Sequence, residues 1–379
     1  MTLSRNRPGI WLASGCALAV LCIWSSFILI ARASAQHTLT AFDIAFLRFL
    51  FSGVMVLPLL AWRAAREARL GAALGGLSLA RAFALGAVGG VGYCGLTYSG
   101  FFFAPATHGA ILLPGSLPLW TALTAAVLLN ERIGPVRYAG LGLIVIGDLF
   151  VGGSSLLTAL DGGEVWKGDA LFLCAALAWS TYAVLCRRWR VGAITATLAV
   201  AFSCLVTAVP LYAASTVLGA WPSGLAQAGW REIAFQGVYQ GGVTMLIAGV
   251  AFTHVVTTFG PLRTVMITAL VPLITALAAV PLLGEPLTAS VILGLFCVTA
   301  GLLLGLRASQ PSQAVAERSQ ESMASPLLLT PVGDSRCQAV ALGCSQGSAG
   351  PPQVSDLHGG RSPQGGGLRA LMTGHVEPM

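Results

Sequence analysis

Two stretches decide the fold: Pro118–Gly147, PLWTALTAAVLLNERIGPVRYAGLGLIVIG, and Pro272–Gly301, PLITALAAVPLLGEPLTASVILGLFCVTAG. Laid over each other at a constant offset of 154, without a gap, they are identical at 12 of 30 positions. Apolar composition alone produces Leu and Ala matches. It does not also align Pro118 with Pro272, Glu131 with Glu285, Gly140 with Gly294 and Gly147 with Gly301. Earlier in each copy, Trp24-Ser25-Ser26-Phe27 matches Trp179-Ser180-Thr181-Tyr182 at an offset of 155. The chain is an internal duplication.

The duplicated unit is apolar. Of the 379 residues, 56% are hydrophobic and 9% charged, against about 25% charged in an ordinary soluble domain. Such a chain cannot cover a water-facing surface. Its charge-poor windows have the length that crosses a hydrocarbon core of about 30 Å, and they do not alternate as barrel strands do. Ten spans are predicted, at 11–31, 41–62, 82–104, 107–129, 135–153, 167–187, 194–217, 233–255, 263–283 and 288–306. The fold expected is all-α, with ten transmembrane helices in two five-helix repeats, 1–153 and 154–306. Five is odd, so the second repeat enters the membrane from the opposite side. Glu131 then falls at the inner face and Glu285 at the outer face. Inverted repeats of this kind place a solute site near the midplane between the halves.

The flanks agree with this topology. Arg5 and Arg7 followed by an apolar run and Ala33-Ser34-Ala35 imitate a cleavable leader. The run is longer than a leader's apolar core of about 7–15 residues, and part of it recurs in the second repeat, so the first span is expected to stay. Residues 307–379, rich in Gly, Pro, Ser and Gln and free of aromatics, predict a disordered cytoplasmic tail. Gly343-Cys344-Ser345-Gln346-Gly347 has the spacing of a hydrolase nucleophile turn but lies in that tail, away from any strand-to-helix context. With both termini inside, thirteen basic residues fall at inner segments and three, Arg32, Lys167 and Arg231, outside. This follows the positive-inside rule and accounts for the net charge of +7 without nucleic acid. The reading is a multi-pass protein of the cell inner membrane, with a lipid bilayer and a small-molecule solute as its partners.

These residues resemble the drug/metabolite transporter superfamily, in particular its EamA-type exporters. The likeness rests on Trp24-Ser25, Leu47-Arg48-Phe49, Leu112-Leu113-Pro114, Pro118-Leu119-Trp120, Leu128-Leu129-Asn130-Glu131-Arg132, Gly168-Asp169 and Pro281-Leu282-Leu283-Gly284-Glu285. It covers roughly residues 11–306. It implies two inverted halves and gradient-driven export of small metabolites or drugs. No cofactor is implied, and no Walker-type loop supports direct ATP coupling.

Arg48 is the sharpest candidate for solute binding. It lies about 10 Å into span 2 at helical rise, where a permanent charge is costly and usually faces a cavity or a partner. It attracts an anionic group such as a carboxylate, or it serves a structural pair with Asp43 or snorkels to the surface. Trp24, Trp179, Tyr182 and Trp120 are candidates to line a cavity and stack on a solute, with interhelix packing as the alternative. Tyr98, Tyr239 and Gln240 offer hydrogen bonds to a solute or between helices. Pro114, Pro118 and Pro272 are expected within spans as hinges or kinks. His108 and His254 are expected at membrane interfaces, and Glu131 and Glu285 in loop or helix-capping roles. Gly86-x-x-x-Gly90 and Gly237-x-x-x-Gly241 suit close helix packing, with a homodimer contact as the alternative. No metal site is expected, because the cysteines show no Cys-x-x-Cys spacing. A channel or lipid-moving protein is the second functional reading, and an intramembrane enzyme the third.

Overall fold

A computed structural model of the chain describes residues 7–67 and 70–305. The expected C-terminal tail lies outside them. The described residues contain nine helices long and apolar enough to span a membrane. They are α1 (Ile10–Ser34), α2 (Ala41–Arg66), α3 (Leu79–Phe103), α4 (Ala106–Leu129), α5 (Arg137–Ala159), α6 (Val165–Arg188), α7 (Ala193–Val217), α8 (Trp230–Phe259) and α9 (Arg263–Leu283). A shorter tenth, α10 (Ala289–Gly305), completes the second repeat.

The repeat glycines bring the halves together. A Cβ built on Gly140 would lie 2.8 Å from the Gly301 carbonyl oxygen, and one on Gly147 would lie 2.8 Å from that of Gly294. In return, Gly301 meets Gly140 O at 2.6 Å and Gly294 meets Gly147 O at 2.9 Å. So α5 and α10 run antiparallel with their backbones touching. Each glycine faces the repeat counterpart of the other, which is the signature of an isologous contact about a two-fold axis. Two inverted repeats are required to make it.

The same exchange relates the other helices. α1 packs on α8 and α9, and its counterpart α6 packs on α3 and α4. Gly241 of α8 lies against the backbone of Arg48 and Ser52 in α2, and Gly90 of α3 lies against Val200 and Cys204 in α7. Both α3 and α8 wind locally as π-helix, over Gly86–Gly92 and Gly237–Ile247, so both GxxxG segments serve contacts within the chain.

Spans α4 and α9 are each broken. The first runs as Ala106–Gly115 and Leu117–Leu129, the second as Pro261–Thr268 and Val271–Leu283. Pro118 and Pro272 do not kink a continuous helix. Each sits in the first turn after the break, where a missing N–H has no intrahelical acceptor to lose. Pro114 lies in the last turn before the break in α4. Both second segments end on a left-handed residue, Asn130 and its counterpart Gly284, which delivers Glu131 and Glu285 to opposite ends of the bundle.

Adding a methyl at the glycine contact forces helices apart. Gly140→Ala is expected to destabilise by about 1–3 kcal/mol, read as a lower thermal midpoint in detergent. Gly142→Ala, whose Cβ meets nothing within 4 Å, should leave that midpoint unchanged.

Candidate functional site

Between the halves lies a central cavity of adjoining lobes. One lobe, of about 390 Å³, is lined by Trp24, Arg48, Trp179, Tyr182, Val200 and Phe252 among others. A smaller lobe of about 150 Å³ shares Trp24, Arg48 and Trp179 and reaches Pro114. A third, also about 390 Å³, is lined by Trp24, Pro114, Pro118, Trp179, Pro272 and Arg137. The breaks in α4 and α9 therefore face the cavity. Among the described residues, Arg48 and Arg137 are its charged lining residues and no carboxylate lines these lobes.

Arg48 is held from behind. It is 7% exposed and donates from Nη1 to the Tyr98 hydroxyl at 3.2 Å, which in turn donates to Gln240 Oε1 at 3.1 Å. Gln240 Nε2 donates onward to Gln236 at 3.4 Å, and Gln236 donates to Ser34. The guanidinium also lies 5.7 Å from the Phe27 ring centroid. These groups are neutral, so the cation is positioned but not neutralised. Its Nε and the Thr244 hydroxyl, both on cavity-lining residues, are buried without a protein partner among the described residues.

Pairing of Arg48 with Asp43 does not occur. Asp43 sits at the start of α2, where it accepts from Thr40 N at 2.7 Å, Ser223 Oγ at 2.8 Å, Gly224 N at 2.8 Å and the Tyr212 hydroxyl. Snorkelling is excluded by the burial of Arg48.

The other candidates divide. Trp24, Trp179 and Tyr182 line the cavity with Arg48. Tyr98 and Gln240 lie behind it as the support just described. Tyr239 shares a hydrogen bond of 2.6 Å with Ser26 and also meets the Ile23 carbonyl, joining α8 to α1. Trp120 lines none of the lobes, and its Nε1 is buried without a partner among the described residues. His108 is not at an open interface. It is buried and meets Asp169 at 2.9 Å. The Nε2 of His254 is also buried, with no partner among the described residues.

The two ends of the bundle differ. At one end Glu285 accepts from Ala106 N at 2.8 Å and Thr107 N at 3.0 Å, capping the first segment of α4, and pairs with Arg32 Nε at 3.3 Å. Arg32 also donates to the Phe101 carbonyl. These side chains are only 11% and 20% exposed. At the other end Glu131 pairs with Arg187, at 46% and 53% exposure. Helix capping fits Glu285, whereas Glu131 makes an open ion pair. Arg32 and Arg187 had no place in the sequence-derived site. The signal was present, because the 155 offset of Trp24 and Trp179, carried eight residues on, lands on Arg32 and Arg187. Lobe-lining residues Cys186, Val191, Arg137 and Gly305 lie toward the Glu131 end. None of the groups at the Glu285 latch lines a lobe.

An inverted-repeat helical bundle with a central cavity reaching toward one end is the architecture of a membrane carrier. The chain belongs to the EamA-like transporter family, whose model matches residues 8–153 and 166–307. It is therefore a multi-pass membrane transporter for a small-molecule solute. It is 24% identical over 225 residues to "Uncharacterized transporter YyaM" of Bacillus subtilis (strain 168), covering 58% of this chain and 70% of that protein. A solved structure titled "Crystal structure of protein" aligns at a TM-score of 0.47 and 21% identity, over 77% of this chain and 96% of that one.

Removing the Tyr98 hydroxyl leaves Gln240 Oε1 buried without its donor and Arg48 without its hydroxyl acceptor. Tyr98→Phe is expected to destabilise by about 1–3 kcal/mol, measured as a lower thermal midpoint in detergent. Tyr182→Phe, on the cavity wall, should shift that midpoint less.

Proposed function

We propose that the protein is a secondary carrier that exports a small organic anion across the cell inner membrane by alternating access, with both chain ends in the cytoplasm. The halves 1–153 and 154–306 are its two moving bodies. The observation that carries this reading is Arg48, a buried cation on the cavity wall with neutral supports and, among the described residues, no carboxylate facing it. The charge is left to be met by the solute. Trp24, Trp179, Tyr182 and Phe252 offer flat apolar walls beside it, which favours an organic body over an inorganic ion. One deep guanidinium favours a single carboxylate or a comparable anionic group.

Direction follows from charge. The Glu131 end carries Arg63, Arg66, Arg81, Arg132, Arg137, Arg188 and Arg190, and the Glu285 end carries Arg32, Lys167 and Arg231. The positive-inside rule makes the Glu131 end cytoplasmic, and the cavity reaches toward that end. An anion leaving the cell runs down an inside-negative potential, gaining about 2.3 kcal/mol per charge per 100 mV. Export of an anion then needs no coupled ion. Burial of the cavity away from the Glu285 end supports a carrier over an open channel.

The test is counterflow in proteoliposomes with a panel of labelled monocarboxylates, dicarboxylates, neutral solutes and organic cations. Saturable exchange of a monocarboxylate is expected, reduced at least tenfold by Arg48→Gln in protein that still unfolds cooperatively on heating and partly restored by Arg48→Lys. Saturable transport of a cation or neutral solute, insensitive to Arg48→Gln, would overturn the reading.

A further inference from the structure

Resting on the carrier reading above, we propose that Glu285 with Arg32 and Glu131 with Arg187 are repeat-related latches that trade places during transport. In each half-cycle one carboxylate caps the first segment of a broken span and shuts its end of the cavity, while the other stands open.

The pairs are equivalent by position. Glu131 and Glu285 are related by the 154 offset, and Arg32 and Arg187 by the 155 offset of the α1 and α6 motifs. Each pair crosses between halves: Arg32 of the first repeat meets Glu285 of the second, and Arg187 of the second meets Glu131 of the first. The glutamates are also delivered identically. The backbone N–H of Glu131 donates to Ala125 O and that of Glu285 to its counterpart Ala279 O, both at 3.4 Å.

What the pairs do not share is their state. Glu285 has pulled in the start of α4 through two backbone N–H groups, and it is nearly buried. The Glu131 carboxylate, among the described residues, pairs with Arg187 and caps no helix start, and it is half exposed. The counterpart of the α4 start is the segment Pro261–Thr268 at the start of α9. A carboxylate at a helix start gains from charge-assisted N–H bonds and from the helix dipole. Closure of the Glu131 end therefore has a ready form, in which Glu131 caps that segment while Glu285 releases Ala106 and Thr107.

The trade is uneven for a stated reason. Aligned by their helix starts, Ala106 corresponds to Pro261, which has no N–H. The Glu131 cap thus lacks one of the two donors that Glu285 uses. On this ground the state closed at Glu285 is the favoured one.

Impermeant maleimide labelling tests the trade without any transported solute, so its outcome is separate from the identity of the anion. Two single-cysteine reporters are used in a background freed of native cysteines: Thr107→Cys, under the Glu285 latch, and Thr197→Cys, on the cavity wall. Glu285→Gln is expected to raise labelling of Thr107→Cys several-fold and to lower that of Thr197→Cys in parallel. Glu131→Gln is expected to hold Thr197→Cys at full labelling and keep Thr107→Cys protected. A purely structural role for Glu285 would raise labelling at both reporters. That result, or Thr107→Cys labelling raised by Glu131→Gln, would overturn the proposal.

Discussion

The contact on which the molecule depends is the backbone-to-backbone approach of α5 and α10 at Gly140, Gly147, Gly294 and Gly301. In a bilayer the hydrophobic effect does not drive helix against helix, so association rests on close van der Waals packing, and small residues permit it. Because each of these glycines faces the partner's counterpart, the contact fixes a two-fold axis between the repeats. The pairing of α1 with α8 and of α6 with α3 obeys the same exchange. One close approach, repeated by symmetry, holds two like bodies together while leaving open how far they tilt.

Much of this was legible in the sequence, and for a physical reason. Pro, Gly and Glu are rare enough in apolar spans that their coincidence survives the background of Leu and Ala. The charge-poor windows predicted ten spans, and the repeat placed Glu131 and Glu285 at opposite ends. The breaks in α4 and α9 were only half readable. Pro114, Pro118 and Pro272 announced an irregularity, but they fit a kink as well as a restart, and only the chain geometry separates the two. Arg32 was passed over as an outer interfacial charge, since its partner lies 253 residues away and the offset slips by one between the motifs. The capping of Ala106 and Thr107 by Glu285 has no local signature, because the capping side chain comes from the other repeat.

The Arg48 network was the least readable feature. Tyr98 and Gln240, polar groups at depth, fit a solute ligand as well as a hydrogen bond between helices. Burial of a guanidinium is costly unless its donors are met, and one of its N–H groups is met by Tyr98, itself held by Gln240. Sequence separates a residue on the cavity wall from one that supports it from behind only when the helices' mutual rotation is known. Here that rotation is set by Gly241 resting on the Arg48 backbone.

Symmetry then explains why there is a cavity at all. Helix starts relate α2 to α7 by 152 residues, and the GxxxG segments relate α3 to α8 by 151. By these relations the counterpart of Arg48 is Val200, that of Tyr98 is Gly249, and that of Gln240 is Gly89. All three small residues line the cavity. One repeat contributes a bulky, polar, hydrogen-bonded set. Where the other would repeat it, the side chains shrink to Val and Gly, and the volume left over adjoins the cation that the set supports. A scaffold of equal halves suits a motion between two mirrored states, but a second buried arginine would bring two like charges into one low-dielectric space. A symmetric scaffold that carries a one-sided polar set satisfies both demands. It also leaves Arg48 a buried cation that, among the described residues, no carboxylate lining the cavity meets.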